Sequence, residues 1–292
     1  MMSAPLIPLP DRAIIAIGGP DRVAFLQGLI SNDVTRAGQD RAIWAALLTA
    51  QGKYLHDFIL FADNDRLLLD VEASRREDLL RRLRMYKLRS KVELTDLSDE
   101  YRVLADPGPA DAPAGQVIPV AGGWSLVDPR HAGLGRRLVL RADATPAATG
   151  AFATWDRARL LLGIPDGTRD LVVEKSILLD NGFDELHAIA WDKGCYVGQE
   201  LTARTKYRGL VKKRLLPVAV DGPLPEPGTP VTADGTEVGE IRSGCGDRAL
   251  ALIRLEALTM GRALACGGVR LRPQPPAWLP LPPSEGDTPR NE

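Results

Sequence analysis

Cysteine is scarce in this chain: it occurs at positions 195, 245 and 266 only, in 292 residues. An odd, widely spaced set excludes a disulfide framework and points to a reducing compartment. It also argues against a resident iron–sulfur cluster held by one chain, because such clusters usually take four thiolates. Histidine is equally sparse. His56, His131 and His187 lie far apart without zinc-type spacing, so a metal site built by one chain is not expected. No run approaches about 18 uninterrupted apolar residues. The proline-broken start, followed by Asp11 and Arg12, has no signal-type apolar core, and the expected location is the cytoplasm. An excess of charge is missing too. Lys+Arg 37 against Asp+Glu 38 leaves a net charge of -1, so no global field draws the chain to nucleic acid or to an anionic membrane.

What is present is an ordinary soluble composition, 45% hydrophobic and 26% charged, in a length that suits two or three units. The first two thirds read as α+β. Residues 13–17 form an apolar strand closed by Gly18-Gly19, and 42–50 and 54–61 flank a Gln51-Gly52-Lys53 hairpin. Ser74-x-x-Glu77 reads as a capping box opening a helix that turns Leu79, Leu80, Leu83 and Leu88 inward and an arginine-rich face outward. A helix over about 151–162 is stopped by Gly163-Ile164-Pro165 and carries Trp155. Past Gly209 short strands separated by Gly, Pro and Asp suggest a small antiparallel barrel or sandwich. Boundaries follow from these changes of texture: an α+β domain over 1–211 with subdomains of about 1–145 and 146–211, a β domain over 212–273, and a disordered proline-rich tail over 274–292.

The densest chemistry lies in Lys193-Gly194-Cys195-Tyr196-Val197-Gly198-Gln199-Glu200. An amine, a thiol, a phenol, an amide and a carboxylate come together there, spaced by two glycines. The cation of Lys193 and a helix starting near Gly198 should favour a thiolate at Cys195, and Glu200 and Arg204 should pair along that helix. Beyond it, Arg204, Lys206, Arg208, Lys212 and Arg214 form an edge suited to a carboxylate, a phosphate or a nucleic-acid backbone. The missing alternation of Leu201, Thr202 and Ala203 favours helix, then strand, across this run.

The same eight residues, with Thr202-Ala203-Arg204 and Tyr207-Arg208-Gly209, resemble the signature of the YgfZ family. These are folate-binding relatives of the glycine-cleavage T-protein, implicated in iron–sulfur protein maturation or repair and in bacterial tRNA modification. Gly19 to Gly28, Asn32-Asp33-Val34, Tyr86 to Val92 and Arg159 to Pro165 extend the likeness over most of the chain. Asp184-Glu185-Leu186 and Trp191-Asp192-Lys193 place it nearest the branch related to the mitochondrial assembly protein. The resemblance implies a T-protein-like fold of two intertwined α+β subdomains followed by a small C-terminal β-barrel. It implies Cys195 as the functional residue with Lys193 its companion, tetrahydrofolate as cofactor, and Trp155, Tyr196, Gln199, Glu200 and Arg204 as cofactor contacts. The partners it implies are iron–sulfur clients or assembly factors and folate, with no stable nucleic-acid complex and no membrane. Leu161 departs from a folate-contacting glutamate, and Arg12 from a second aromatic. The leading expectation is an accessory protein. The alternatives are a folate-dependent aminomethyl transferase using Asp57 or Asp33 as its proton-transfer group, and an RNA-binding module.

Overall fold

Residues 5–282 are described in the computed structural model. They fall into two compact units: the first takes the chain through Trp155 and again Leu186–Glu200, the second takes Asp156–Glu185 and the chain from Leu201 onward. Two of the three divisions fall inside helices, after Trp155 and after Glu200, and the third follows Glu185; the strands of the barrel begin at Lys213.

In the first unit the strands are β1 (Ile7–Pro8), β2 (Arg12–Gly18), β3 (Ile43–Leu48), β4 (Tyr54–Asp63), β5 (Arg66–Glu72), β6 (Glu93–Asp96), β7 (Tyr101–Asp106), β8 (Val117–Val120), β9 (Gly123–Val127) and β10 (Arg136–Arg141). They make two five-stranded antiparallel sheets, ordered β3-β4-β5-β2-β6 and β1-β7-β10-β9-β8. β3 is buried at every position and β4 at its first eight, which explains their continuous apolar runs. The turn between them closes through Thr49, whose N–H donates to Lys53 O at 2.8 Å. Of the helices, α1 spans Arg22–Gln27 and α2 Arg76–Lys87. α2 buries Leu79, Leu80 and Leu83.

Two local expectations for α2 are corrected. Ser74 lies in a 3-10 turn before the helix, where its hydroxyl donates to Glu72 at 2.9 Å, and the helix starts after Arg75 without a side-chain cap. Leu88, expected inward, is 88% exposed, because the helix ends at Lys87 and the backbone turns there to a φ of 42°.

The second unit contains most of α3 (Phe152–Leu162) and of α4 (Gln199–Tyr207), and the strands β11 (Lys213–Val220), β12 (Pro230–Ala233), β13 (Thr236–Cys245), β14 (Arg248–Arg254), β15 (Leu264–Cys266) and β16 (Val269–Pro273), with α5 (Leu255–Thr259) before β15. The six strands close into a barrel in the order β11-β14-β13-β12-β15-β16. Closure pairs every edge. Its interior is filled by Leu216, Val218, Val231, Ile241, Ala251, Ile253 and their neighbours.

Residues 274–282 are not a loose tail. Leu279 is 3% exposed and packs into the barrel core, and the Trp278 indole N–H donates to Leu162 O at 2.7 Å. Two large side chains dock the segment in spite of its prolines; residues 283–292 of the expected tail lie outside the described residues. Among the described residues no helix is long and apolar enough to cross a membrane.

Candidate functional site

The Lys193–Gly198 segment is a loop leading into α4, and its backbone is fixed at several points. The Lys193 amine donates to Ile30 O at 2.7 Å and Asn32 O at 2.8 Å, and lies 5.0 Å from the centre of the Tyr196 ring. Burial brings this amine down to about 8, against an opposing pull from Asp33. The N–H of Val197 donates to Gly28 O at 3.1 Å, and that of Tyr196 to the Gln199 side-chain oxygen at 3.1 Å. Gly198 has a φ of 82°, and a Cβ there would stand 2.3 Å from Thr49 O, so only glycine fits.

Between these anchors Cys195 is exposed. Cys245 is half-buried and Cys266 buried. The chain thus presents one exposed thiol, on a loop held from both sides. The expected roles of its neighbours shift accordingly. Lys193 spends its hydrogen bonds on the loop after α1, Gln199 caps its own loop, and Tyr196 is buried at 8% exposure. Glu200 and Arg204 are both exposed and form no ion pair with each other. In the basic run, Lys206 pairs with Asp184, and Arg214 with Glu185 at 2.7 Å and Leu179 O at 2.6 Å.

Trp155 sits elsewhere in the first unit. It is 2% exposed, with Phe152 at 5.4 Å between ring centres and the Arg137 guanidinium 5.7 Å from its ring. Arg137 belongs to a buried network that sequence reasoning missed. Its Nη1 donates to Asp70 at 2.7 Å and its Nε to Asp128 at 2.9 Å. Arg12 reaches Asp70 at 2.6 Å and Arg130 reaches Asp128 at 2.7 and 2.9 Å. Burial pushes Asp128 upward, but Arg130 and Arg137 outweigh it and hold the carboxyl well below its usual range. No short motif encodes this network; its members are scattered over more than a hundred residues.

The acid–base candidates are also engaged. Asp57 accepts from Trp44 Nε1 at 2.9 Å and Tyr54 OH at 2.7 Å, and burial raises it. Asp33 Oδ1 accepts from Gln27 at 2.9 Å and from the Thr35 N–H and hydroxyl at 3.0 and 2.7 Å. For tetrahydrofolate, the stacking face expected of Trp155 is covered and Tyr196 is buried under Lys193. The residues do not fit the group as expected.

Architecture defines the class first. The fold matches the crystal structure of the glycine cleavage system aminomethyltransferase T from Bartonella henselae, with a TM-score of 0.76 over 94% of this chain and 86% of that one, at 16% identity. Residues 212–281 match the family described as CAF17, C-terminal beta-barrel domain. The sequence is 33% identical over 301 residues to the Homo sapiens iron–sulfur cluster assembly factor IBA57, mitochondrial, covering 93% of this chain and 84% of the relative. To the Mus musculus protein it is 35% identical, covering 86% and 77%. It is 33% identical to the Neurospora crassa homologue and spans 57% of that protein's length. The chain belongs to the IBA57 family of iron–sulfur cluster assembly factors.

The expected cytoplasmic location is corrected by the same comparison, since these relatives are named mitochondrial. It had rested only on the lack of a recognisable targeting segment, and such a lack carries no address of its own.

Proposed function

We propose that this protein is an accessory factor in iron–sulfur cluster assembly, and that Cys195 is the residue through which it acts. The observation that carries the reading is the exposed thiol on a loop fixed by Lys193, Tyr196, Val197 and Gly198. A thiolate is a soft ligand suited to iron. With three cysteines in the chain and only one of them exposed, this protein supplies one sulfur, and a client or assembly factor supplies the remaining ligands. The cluster is cargo in this account, passed through a shared coordination sphere.

Each loop residue has a part in it. Lys193 holds the loop down through two carbonyls, Gly198 lets it lie against Thr49, and Gln199 fixes the peptide after Cys195. Asp57 and Asp33, the candidates for aminomethyl transfer, both accept hydrogen bonds from internal donors.

Complementation tests the reading. Cells lacking the protein should recover iron–sulfur enzyme activity with the wild type and with Cys245→Ser, and remain at the level of the empty vector with Cys195→Ser. The purified Cys195→Ser protein should unfold within about 0.5 kcal/mol of the wild type, as expected at an exposed position. Full recovery with Cys195→Ser would remove the thiol from the function.

A further inference from the structure

Residues 81–91 hold six cations, Arg81, Arg82, Arg84, Lys87, Arg89 and Lys91, and no aspartate or glutamate. They run from the last turns of α2 into the turn that leaves it, all within the first unit. Asp78 takes two of the six, Arg81 and Arg82. Arg84, Lys87, Arg89 and Lys91 form no ion pair among the described residues, and all but Lys87 are exposed.

Apolar side chains stand among these cations. Met85 is 66% exposed, Leu88 still more so, and Tyr86 between them in sequence is exposed too. The inward face of α2 is made by Leu79, Leu80 and Leu83, so Met85 and Leu88 add almost nothing to the core.

Leu88 is held outward by its backbone. The Ser90 N–H donates to Lys87 O at 2.7 Å and closes a four-residue turn in which Leu88 is second. Its φ of 42° and ψ of -109° are those of the first central residue of a type II′ turn, where glycine belongs. A leucine there is strained, and it gains no burial in exchange. The far end is pinned as well, since the Lys91 N–H donates to the Asp21 carboxylate at 2.7 Å. The fold thus presents a large apolar side chain, at a cost to itself, on a fixed tip surrounded by unpaired cations.

We infer that the end of α2 and its turn are a docking surface for an anionic lipid membrane, touched from one side and not crossed. A convex tip suits a deformable layer, whereas a folded partner would need a groove of matching shape. Leu88 and Met85 enter the boundary between headgroups and acyl chains, and Tyr86 lies at headgroup level. Arg84, Lys87, Arg89 and Lys91 meet lipid phosphates while their stems lie along apolar surface. The two parts work together, because a small apolar anchor binds only marginally without a basic patch beside it. The balanced net charge of the chain does not oppose this. The field of a membrane falls off within a Debye length and acts on the local patch.

Co-sedimentation of the full chain with vesicles tests the assignment. Phosphatidylcholine vesicles with about one third phosphatidylglycerol should bind it saturably, pure phosphatidylcholine should not, and about 0.5 M salt should release it. Leu88→Gly removes the anchor and relaxes the turn. It should bind about fivefold more weakly, yet unfold at a urea midpoint no lower than that of the wild type. Arg84→Gln/Arg89→Gln should weaken binding by about tenfold. Arg254→Gln/Arg270→Gln, the same change of charge at exposed barrel positions, should leave binding unaltered. Absence of binding to the anionic vesicles, equal binding to the uncharged ones, or Leu88→Gly binding like the wild type overturns the assignment. An equal loss in the barrel variant does so too, by marking general charge attraction. So does binding to a soluble glutamate- and leucine-rich peptide in place of the vesicles, which would give the tip to an acidic protein.

Discussion

Each of the two units is held by a buried arginine–aspartate network, and the two are wired differently. In the first unit each carboxylate has two guanidinium partners: Asp70 has Arg12 and Arg137, and Asp128 has Arg130 and Arg137. In the second, the fully buried Arg159 donates to Asp156 at 2.6 Å, to Asp170 at 2.7 Å, to Ser243 at 2.8 Å and to Ile164 O at 3.3 Å. Asp156 also has Arg169, at 2.7 and 2.9 Å, but among the described residues Asp170 has no second cation. Its other donors are neutral, the Ser243 hydroxyl at 2.5 Å and the Asp166 N–H at 2.8 Å. The first network is redundant and the second hangs on one residue. Burial alone does not say how much a charged side chain matters; the number of alternative partners does.

That contrast can be broken most directly at Arg159. Arg159→Met leaves Asp170 buried without a cation and should cost about 3–5 kcal/mol in urea unfolding. Arg137→Met removes an equally buried guanidinium but leaves each carboxylate one arginine, so a loss of about 2 kcal/mol is expected. Equal losses from the two variants would refute the redundancy argument. The smallest effect tests a third cluster, at the rim of the first unit. There His56 Nε2 meets Asp78 at 2.9 Å, and Asp78 is shared with Arg75, Arg81 and Arg82.

Burial, helped by Arg75, lowers His56 from 6.5 to about 4. Between those values the unfolded imidazole is protonated and the folded one is not, so stability is lost as pH falls. From pH 7 to about pH 5.5 the loss should be about 1 kcal/mol larger in the wild type than in His56→Gln. Parallel pH profiles would show that His56 does not titrate this way.

How much of this was legible before the fold was known depends on what each feature needs. The α+β part and the barrel follow from apolar runs and turn residues, which are local. So does the change from helix to strand between Tyr207 and Lys213, given away by Leu201, Thr202 and Ala203. Leu88 and Trp278 show the limit. The helical period carries one residue past the turn at Lys87 and would bury Leu88, while proline content hides the docking of Trp278 and Leu279 against the second unit's core. The motif around Cys195 was legible because its residues are contiguous. Trp155 could be placed on its helix but not assigned a face, since Arg137, which covers it, comes from a strand of its own. The two ion networks exist only after distant segments are brought together.

The wedge of Gly198 against Thr49 has a kinetic meaning. A thiol on a mobile loop would offer many geometries, and a partner would capture only the fraction suited to it, with the ordering of the loop subtracted from its affinity. Here the backbone on both sides of Cys195 is set before any partner arrives. Under the role proposed for Cys195, engagement would be governed by encounter and orientation of the two proteins, and the lifetime of the complex by what the partner itself contributes around the sulfur. A substitution that loosened this loop without touching Cys195 would show itself first as slower association, with the thiol still intact.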